Sequence, residues 1–228
     1  LSISILSNIS INQISEILEY SLKECSLSPS ISFGDYDNIV QNSYSHNKSD
    51  FVIVFWEAIN FFEGFASKIE QLNNSQIDEI ICQKISEIDS LVENLKHTGA
   101  VLINKFTAAH WYHNSHHDNK VDRVAMILNE HLEKSVPDNF YIVNIEKILT
   151  LAGLDSCINL NLFYLASSLY TPAFFKLYVD YITPIILSHT GRSKKAIIFD
   201  CDNTLWLGVV GEDGTSGIEM SRETYSGK

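Results

Sequence analysis

Five short apolar runs, each separated from the next by polar or helically spaced residues, constrain this chain more than any other feature. They are "SISIL" from Ser2, "SISF" from Ser30, "FVIVFW" from Phe51, "AVLINKF" from Ala100 and "FYIVNI" from Phe140. A run such as "FVIVFW" has no polar alternation, so it reads as a strand buried on both faces, which is the habit of parallel sheets. Between the runs, apolar residues recur at helical spacing. Ile11, Ile14, Leu18, Leu22 and Cys25 form one set, opened by a capping box of Ser10 and Gln13. Ile77, Ile80, Ile81, Ile85, Ile88, Val92 and Leu95 form a second, and Val121, Val124, Ala125, Leu128 and Leu132 a third. Thr171-Pro172 opens a last helix, with a kink expected at Pro184 and an end before Gly191. Alternation of this kind predicts an α/β fold, a parallel sheet with helices on both faces, and a site at the C-terminal ends of the strands. The Asn- and Ser-rich residues 41–50 read as a loop.

Composition narrows the functions. Apolar residues make up 45% of the 228, enough to fill a core. The formal net charge of −12 lacks the basic footprint that nucleic acid or an anionic membrane surface requires, so neither is expected as a partner. No apolar run approaches the ~18 residues of a membrane span, and no secretory leader is recognisable. Cys25, Cys82, Cys157 and Cys201 are scattered with no C-x-x-C pair, which fits a reduced, cytoplasmic chain.

The chemistry gathers in "KKAIIFDCDNTLWLGVVGEDG", from Lys194 to Gly214. Ala196 to Phe199 reads as an apolar strand that delivers Asp200 to its tip, followed by Cys201, Asp202, Asn203 and Thr204. Two carboxylates two residues apart beyond a strand end can face one reacting centre. One attacks phosphorus; the other protonates the leaving oxygen and then activates water. Magnesium held by the same oxygens offsets the repulsion between carboxylate and phosphate.

"FDCDNT" resembles motif I, D-x-D-x-T, of the haloacid dehalogenase superfamily. Its extension "LWLGVVGEDG" is similar to the FkbH-like branch, phosphatase subfamily IIIC. That resemblance implies Asp200 as nucleophile, Asp202 as acid/base, both as ligands of Mg2+ (Asp202 through its backbone carbonyl), and Asn203 and Thr204 as loop residues, with Thr204 bracing the turn. Residues 207–214 would form a flap, Gly-rich and expected to be poorly ordered. Cys201 stands where a bulkier apolar residue is usual and reads as a packing residue, with thioester chemistry the alternative. The family also needs a Ser or Thr that grips the phosphoryl group, a Lys and a downstream acidic pair. These are not recognisable after Thr204, so the chain by itself is expected to be inactive, an N-terminal piece of a longer enzyme. The implied activity is dephosphorylation of a phosphorylated three-carbon acid or related phosphate ester and loading of a glyceryl unit onto an acyl carrier protein in polyketide-type biosynthesis, with a plain phosphatase or a surface-sugar pathway as the branch's alternatives.

Residues 1–189 are expected to form a first domain, and residues 190–228 the start of a truncated catalytic one. FkbH-like proteins often carry an N-terminal domain that resembles SGNH hydrolases, with a flavodoxin-like layout, and "LFYLASSLYTPAFF" from Leu162 is similar to their connecting segment. Ser7, after the first strand, occupies the place of an SGNH nucleophile, and Gly34 that of an oxyanion donor. There is no G-x-N-D block, and Asp155 in "LDSCIN" has no companion His. A serine without its base is a weak nucleophile, so this domain reads as a docking or binding module, with an esterase or acyltransferase using Ser7 as the alternative. The acidic charge argues somewhat against docking to a carrier protein, itself usually acidic. The cluster His110, His113, His116, His117 and Asp118 fits no standard zinc spacing. Phe61, Phe62, Phe163 and Tyr164 read as core or interface, and Glu57 and Glu63 as surface.

Overall fold

The computed structural model describes residues 1–62, 64–109, 120–194 and 196–220, with only the backbone of Ala66 and Ser67. The chain divides into two units, Leu1–His189 and Thr190–Lys228. The histidine cluster and Glu63 lie outside the described residues.

In the first unit the order is β1 (Ser2–Ser7), α1 (Ile14–Glu24), β2 (Ser30–Phe33), α2 (Ile39–His46), β3 (Phe51–Phe55), α3 (Phe65–Lys68), α4 (Asn74–Leu95), β4 (Ala100–Asn104), α5 (Lys120–Ser135), β5 (Phe140–Val143), α6 (Ile145–Ala152), α7 (Leu154–Cys157), α8 (Leu160–Ala166) and α9 (Pro172–His189). The five strands form one sheet in the order β2-β1-β3-β4-β5. All pairings are parallel, with Ile5 beside Phe33 and Ile53, and Ile53 beside Leu102. This is the flavodoxin-like order, with its switch point between β1 and β3.

Alternation of side chains along each strand feeds two cores. Ile3, Ile5, Phe51, Ile53, Phe55 and Leu102 pack with α1, α6 and α9 on one face. Leu6, Val52, Val54, Val101 and Ile103 pack with α2, α4 and α5 on the other. Every residue of β3 and β4 is buried, as their continuous apolar runs require. Each fully buried Ile, Leu or Phe side chain contributes about 1.5–3 kcal/mol of transfer free energy.

Local differences from the sequence reading have physical causes. Residues 41–46 are helical, not a loop. Asn42 and Ser43 are buried in α2, where the Asn42 amide donates to the carbonyls of Asn38 (2.9 Å) and Asp35 (3.2 Å). Asn94 of α4 donates to Ser43 Oγ at 2.9 Å, so packing on α4 overrides a loop-like composition. Ser10 does not cap α1: its N–H donates to Ser167 O, and the helix starts after Gln13 with no side-chain cap. The capping box belongs instead to α4, between Asn73 and Gln76. Pro184 lies inside α9, which runs on to His189. Phe61 and Phe163 are buried, but Tyr164 is exposed.

In the second unit, residues 196–200 are not a strand. A strand needs a neighbour to satisfy its ladder groups, and no described residue pairs with this segment. Ile197, Ile198 and Phe199 are accordingly exposed, Ile198 by 94%.

Candidate functional site

The D-x-D segment folds into a turn closed by its own hydrogen bonds. Cys201 O accepts the N–H groups of Thr204 (3.3 Å) and Leu205 (3.0 Å). Asn203 sits at φ +55°, a left-handed conformation that Asn tolerates better than most residues. Its Oδ1 accepts the Gly208 N–H at 2.9 Å, and its own N–H donates to Gly208 O at 3.3 Å. Asn203 thus braces the turn through Gly208, and Thr204 adds its backbone N–H.

The two carboxylates have different settings. Asp200 is exposed. Asp202 is half-buried, and its Oδ1 accepts the Trp206 indole N–H at 3.0 Å and the Val210 N–H at 3.2 Å. Cys201 between them is exposed, which corrects its reading as a packing residue.

The flap is more structured than its glycines suggest. Leu207 and Glu219 exchange two backbone hydrogen bonds, of 3.0 and 2.9 Å, and α10 (Val210–Asp213) fills the span between them. Asp213 Oδ2 accepts the Val209 N–H at 2.9 Å. Gly217 has a steric reason: a Cβ there would lie 2.5 Å from Asp213 O. Gly208, at φ +107°, lies in a region that L side chains rarely adopt.

For magnesium, this turn offers the Asp200 carboxylate and the Asp202 carbonyl, hard oxygens of the type Mg2+ prefers. Among the described residues no three His, Cys, Asp or Glu side chains converge on one point. By donor type the two oxygens suit magnesium, which would need water or further ligands to complete its shell.

In the first unit the switch point is closed by Asn8. Its side chain accepts the Glu57 N–H at 2.8 Å and donates to Glu57 O at 2.8 Å and Asn60 O at 3.1 Å. Its backbone N–H donates to Phe55 O, and the Asn60 amide donates to Asn8 O. These bonds tie the end of β1 to the end of β3 where a flavodoxin-like sheet would admit a ligand.

Ser7 borders a small cavity of about 120 Å³, lined also by Ser10, Gly34 and Tyr36. Its hydroxyl is engaged locally, donating to Ile9 O at 2.7 Å and accepting the Ile9 N–H at 3.1 Å. Gly34 cannot serve as an oxyanion donor in this arrangement, because its N–H is spent on Ile5 O at 2.9 Å within the sheet. Asp155 is exposed on the four-residue α7. We therefore expect a fluorophosphonate probe to leave Ser7 unlabelled; stoichiometric labelling, read by peptide mass, would show an activated serine.

Glu57 is not a surface residue. It is fully buried, and burial pushes its carboxyl up to about 7, moderated by Tyr170 and Asn104 beside it. None of these neighbours reaches it in good hydrogen-bond geometry. Glu57 Oε1 and Oε2, Asn104 Nδ2 and Tyr170 OH are the buried side-chain polar atoms without a partner among the described residues. The nearest bond in this cluster runs from Tyr178 OH to Asn104 Oδ1, at 3.1 Å. An acidic residue two positions beyond an apolar strand gave no sequence signal that it would be enclosed.

No family model matches the chain, and no curated protein matches it in sequence. Among solved structures it is similar to the N-terminal part of a Bacteroides fragilis protein containing a phosphatase domain complexed with Mg. The TM-score is 0.72 at 18% identity, covering 100% of this chain and 62% of that one. It is also similar to a lipase from a goat rumen metagenome (TM-score 0.59, 6% identity, 80% of this chain and 96% of that). A third likeness is to an acetyl xylan esterase of Geobacillus stearothermophilus (TM-score 0.50, 10% identity, 87% and 97%). The chain thus spans less than two thirds of the Bacteroides chain. What it shares with these proteins is an α/β fold that hydrolases use.

Proposed function

We propose that this chain is part of a FkbH-like enzyme of the haloacid dehalogenase superfamily, with Asp200 as nucleophile and Asp202 as acid/base. The observation that carries the reading is the self-closed turn, which presents one exposed carboxylate and immobilises the other two residues away. Asp200 attacks phosphorus while the ester oxygen leaves with a proton from Asp202; Asp202 then takes a proton from the water that cleaves the aspartyl-phosphate. Asp200 and the Asp202 carbonyl would hold Mg2+, which when bound offsets the charge between carboxylate and phosphate. The Bacteroides structure, with its phosphatase domain and Mg, supports this reading by fold.

The substrate we propose is a phosphorylated three-carbon acid in the cytoplasm whose carboxyl is also phosphorylated, as an acyl phosphate: the thiol of an acyl carrier protein attacks the acyl carbon, expels that phosphate and gives up its proton to solvent, while Asp200 removes the ester phosphate. Residues 1–189 act in this scheme as a docking or binding module. The Asn8 bonds across the switch point favour that role over an esterase built on Ser7. The 228-residue chain alone is expected to release no phosphate, because the phosphate-gripping groups are not recognisable in it.

The test uses the full-length protein with magnesium, a three-carbon acid bearing both an ester phosphate and an acyl phosphate, and a carrier protein. Phosphate release and a glyceryl mass increment on the carrier thiol are expected together. Phosphate release without the increment would reduce the reading to a phosphatase, and neither would end it.

A further inference from the structure

The flap and Trp206, the residue just before it, hold the second carboxylate, rather than the D-x-D turn alone. Trp206 and Val210 both aim N–H groups at the same oxygen, Asp202 Oδ1, at 3.0 and 3.2 Å. Trp206 lies four residues beyond Asp202, and Val210 opens α10, whose own start is pinned by Asp213 through Val209. With Oδ1 held twice, rotation about the Cβ–Cγ bond is restricted, and Oδ2 is left as the oxygen for proton exchange. Carboxylate orientation matters because general acid catalysis fails when the proton is not in reach of the leaving oxygen.

We infer that Trp206 is a positioning residue that fixes the proton-transferring face of Asp202 through its indole N–H, so that the entry to the flap sets the acid/base geometry. The role assigned to Asp202 rests on the function proposed above; the contact itself does not. Trp206 touches no reacting atom in this scheme. Its removal should therefore weaken proton delivery and spare the nucleophilic attack.

Two measurements test this. In the 228-residue chain, the indole N–H resonance that disappears in Trp206→Phe identifies Trp206 among the three tryptophans. Asp202→Ala should shift that resonance and speed its exchange with solvent; no change would overturn the contact and the proposal with it.

In the full-length protein, Trp206→Phe keeps an aromatic ring but removes the donor. Alkyl phosphates, whose leaving oxygen needs a proton, should lose ~10–100-fold in kcat with little change in KM. Acyl and nitrophenyl phosphates, whose leaving groups depart unprotonated, should change much less. Val210→Pro removes the other donor at a first-turn position that tolerates proline, and should show the same selectivity. Equal losses on both substrate classes would indicate a merely structural role and overturn the proposal, as would no loss on either. If Asp200→Asn retains turnover, the nucleophile assignment fails, while a selective loss in Trp206→Phe would still support the positioning.

Discussion

Asp200→Asn should abolish phosphoryl transfer in the full-length protein, by at least ~10³-fold in kcat, because an amide is not a competent nucleophile toward phosphorus and leaves no covalent route. The substitution alters one atom of an exposed side chain, and the turn is closed by Asn203, Gly208, Trp206 and Val210. Folding should therefore be unaffected. Asp202→Asn should behave differently. It removes the proton carrier but leaves the attacking group, so a loss of ~10²–10⁴-fold is expected, smaller on substrates with good leaving groups. The decisive measurement is acid-quench trapping of labelled phosphate on the protein. Label should appear in wild type, be absent in Asp200→Asn, and accumulate in Asp202→Asn, where breakdown of the intermediate slows. Label retained by Asp200→Asn would place the nucleophile elsewhere.

The second large effect concerns stability. Glu57 titrates near 7 in the folded chain, against an ordinary 4.5, because burial disfavours its charged form. Below about pH 4.5 the carboxyl is protonated in both folded and unfolded chains, and its neutral form carries no ionisation penalty. As pH rises from there, the unfolded chain releases the proton first, so unfolding is increasingly favoured until the folded form also ionises near 7. At pH 8 the penalty is on the order of 3 kcal/mol.

Glu57→Gln removes that titration while nearly conserving volume. Its unfolding free energy minus that of wild type should therefore rise by roughly 3 kcal/mol between pH 4.5 and 8. Asp50 works in the opposite sense at the acid end. The backbone N–H and hydroxyl of Ser2 hold its carboxyl below the usual range, so protonating Asp50 at low pH weakens the fold. Both variants share that effect, which cancels in the difference. Parallel pH profiles for wild type and Glu57→Gln in urea denaturation would sink this account.

Residue order alone was enough where the structure is local. The apolar runs "FVIVF" and "AVLIN" could only be strands buried on both faces, and they are β3 and β4. The D-x-D turn is local too. Its bonds join Asp202 to Trp206, Asn203 to Gly208 and Val209 to Asp213, four or five residues apart, so its geometry is carried by local residue order. Even there, D-x-D spacing gave no hint of the indole contact.

The rest depended on packing, because periodicity reports which face of an element is apolar but not what meets its polar groups. The helical residues 41–46 depend on α4, which supplies Asn94 to a buried Ser43. Gly34 loses its availability as a donor to Ile5 on the neighbouring strand. "AIIF" has the composition of a strand, yet a strand exists only with a neighbour, and no described residue provides one. Asn8 and Glu57 are separated by 49 positions, and only the parallel pairing of β1 with β3 brings them together. The pairing of β3 with β4 sets Glu57 beside Asn104, and Tyr170, from the segment before α9, lies beside it as well. A carboxylate that would sit in water on an isolated segment thereby becomes a buried acid, because the charge of a side chain is written in its residue type while its solvent is set by the packing around it.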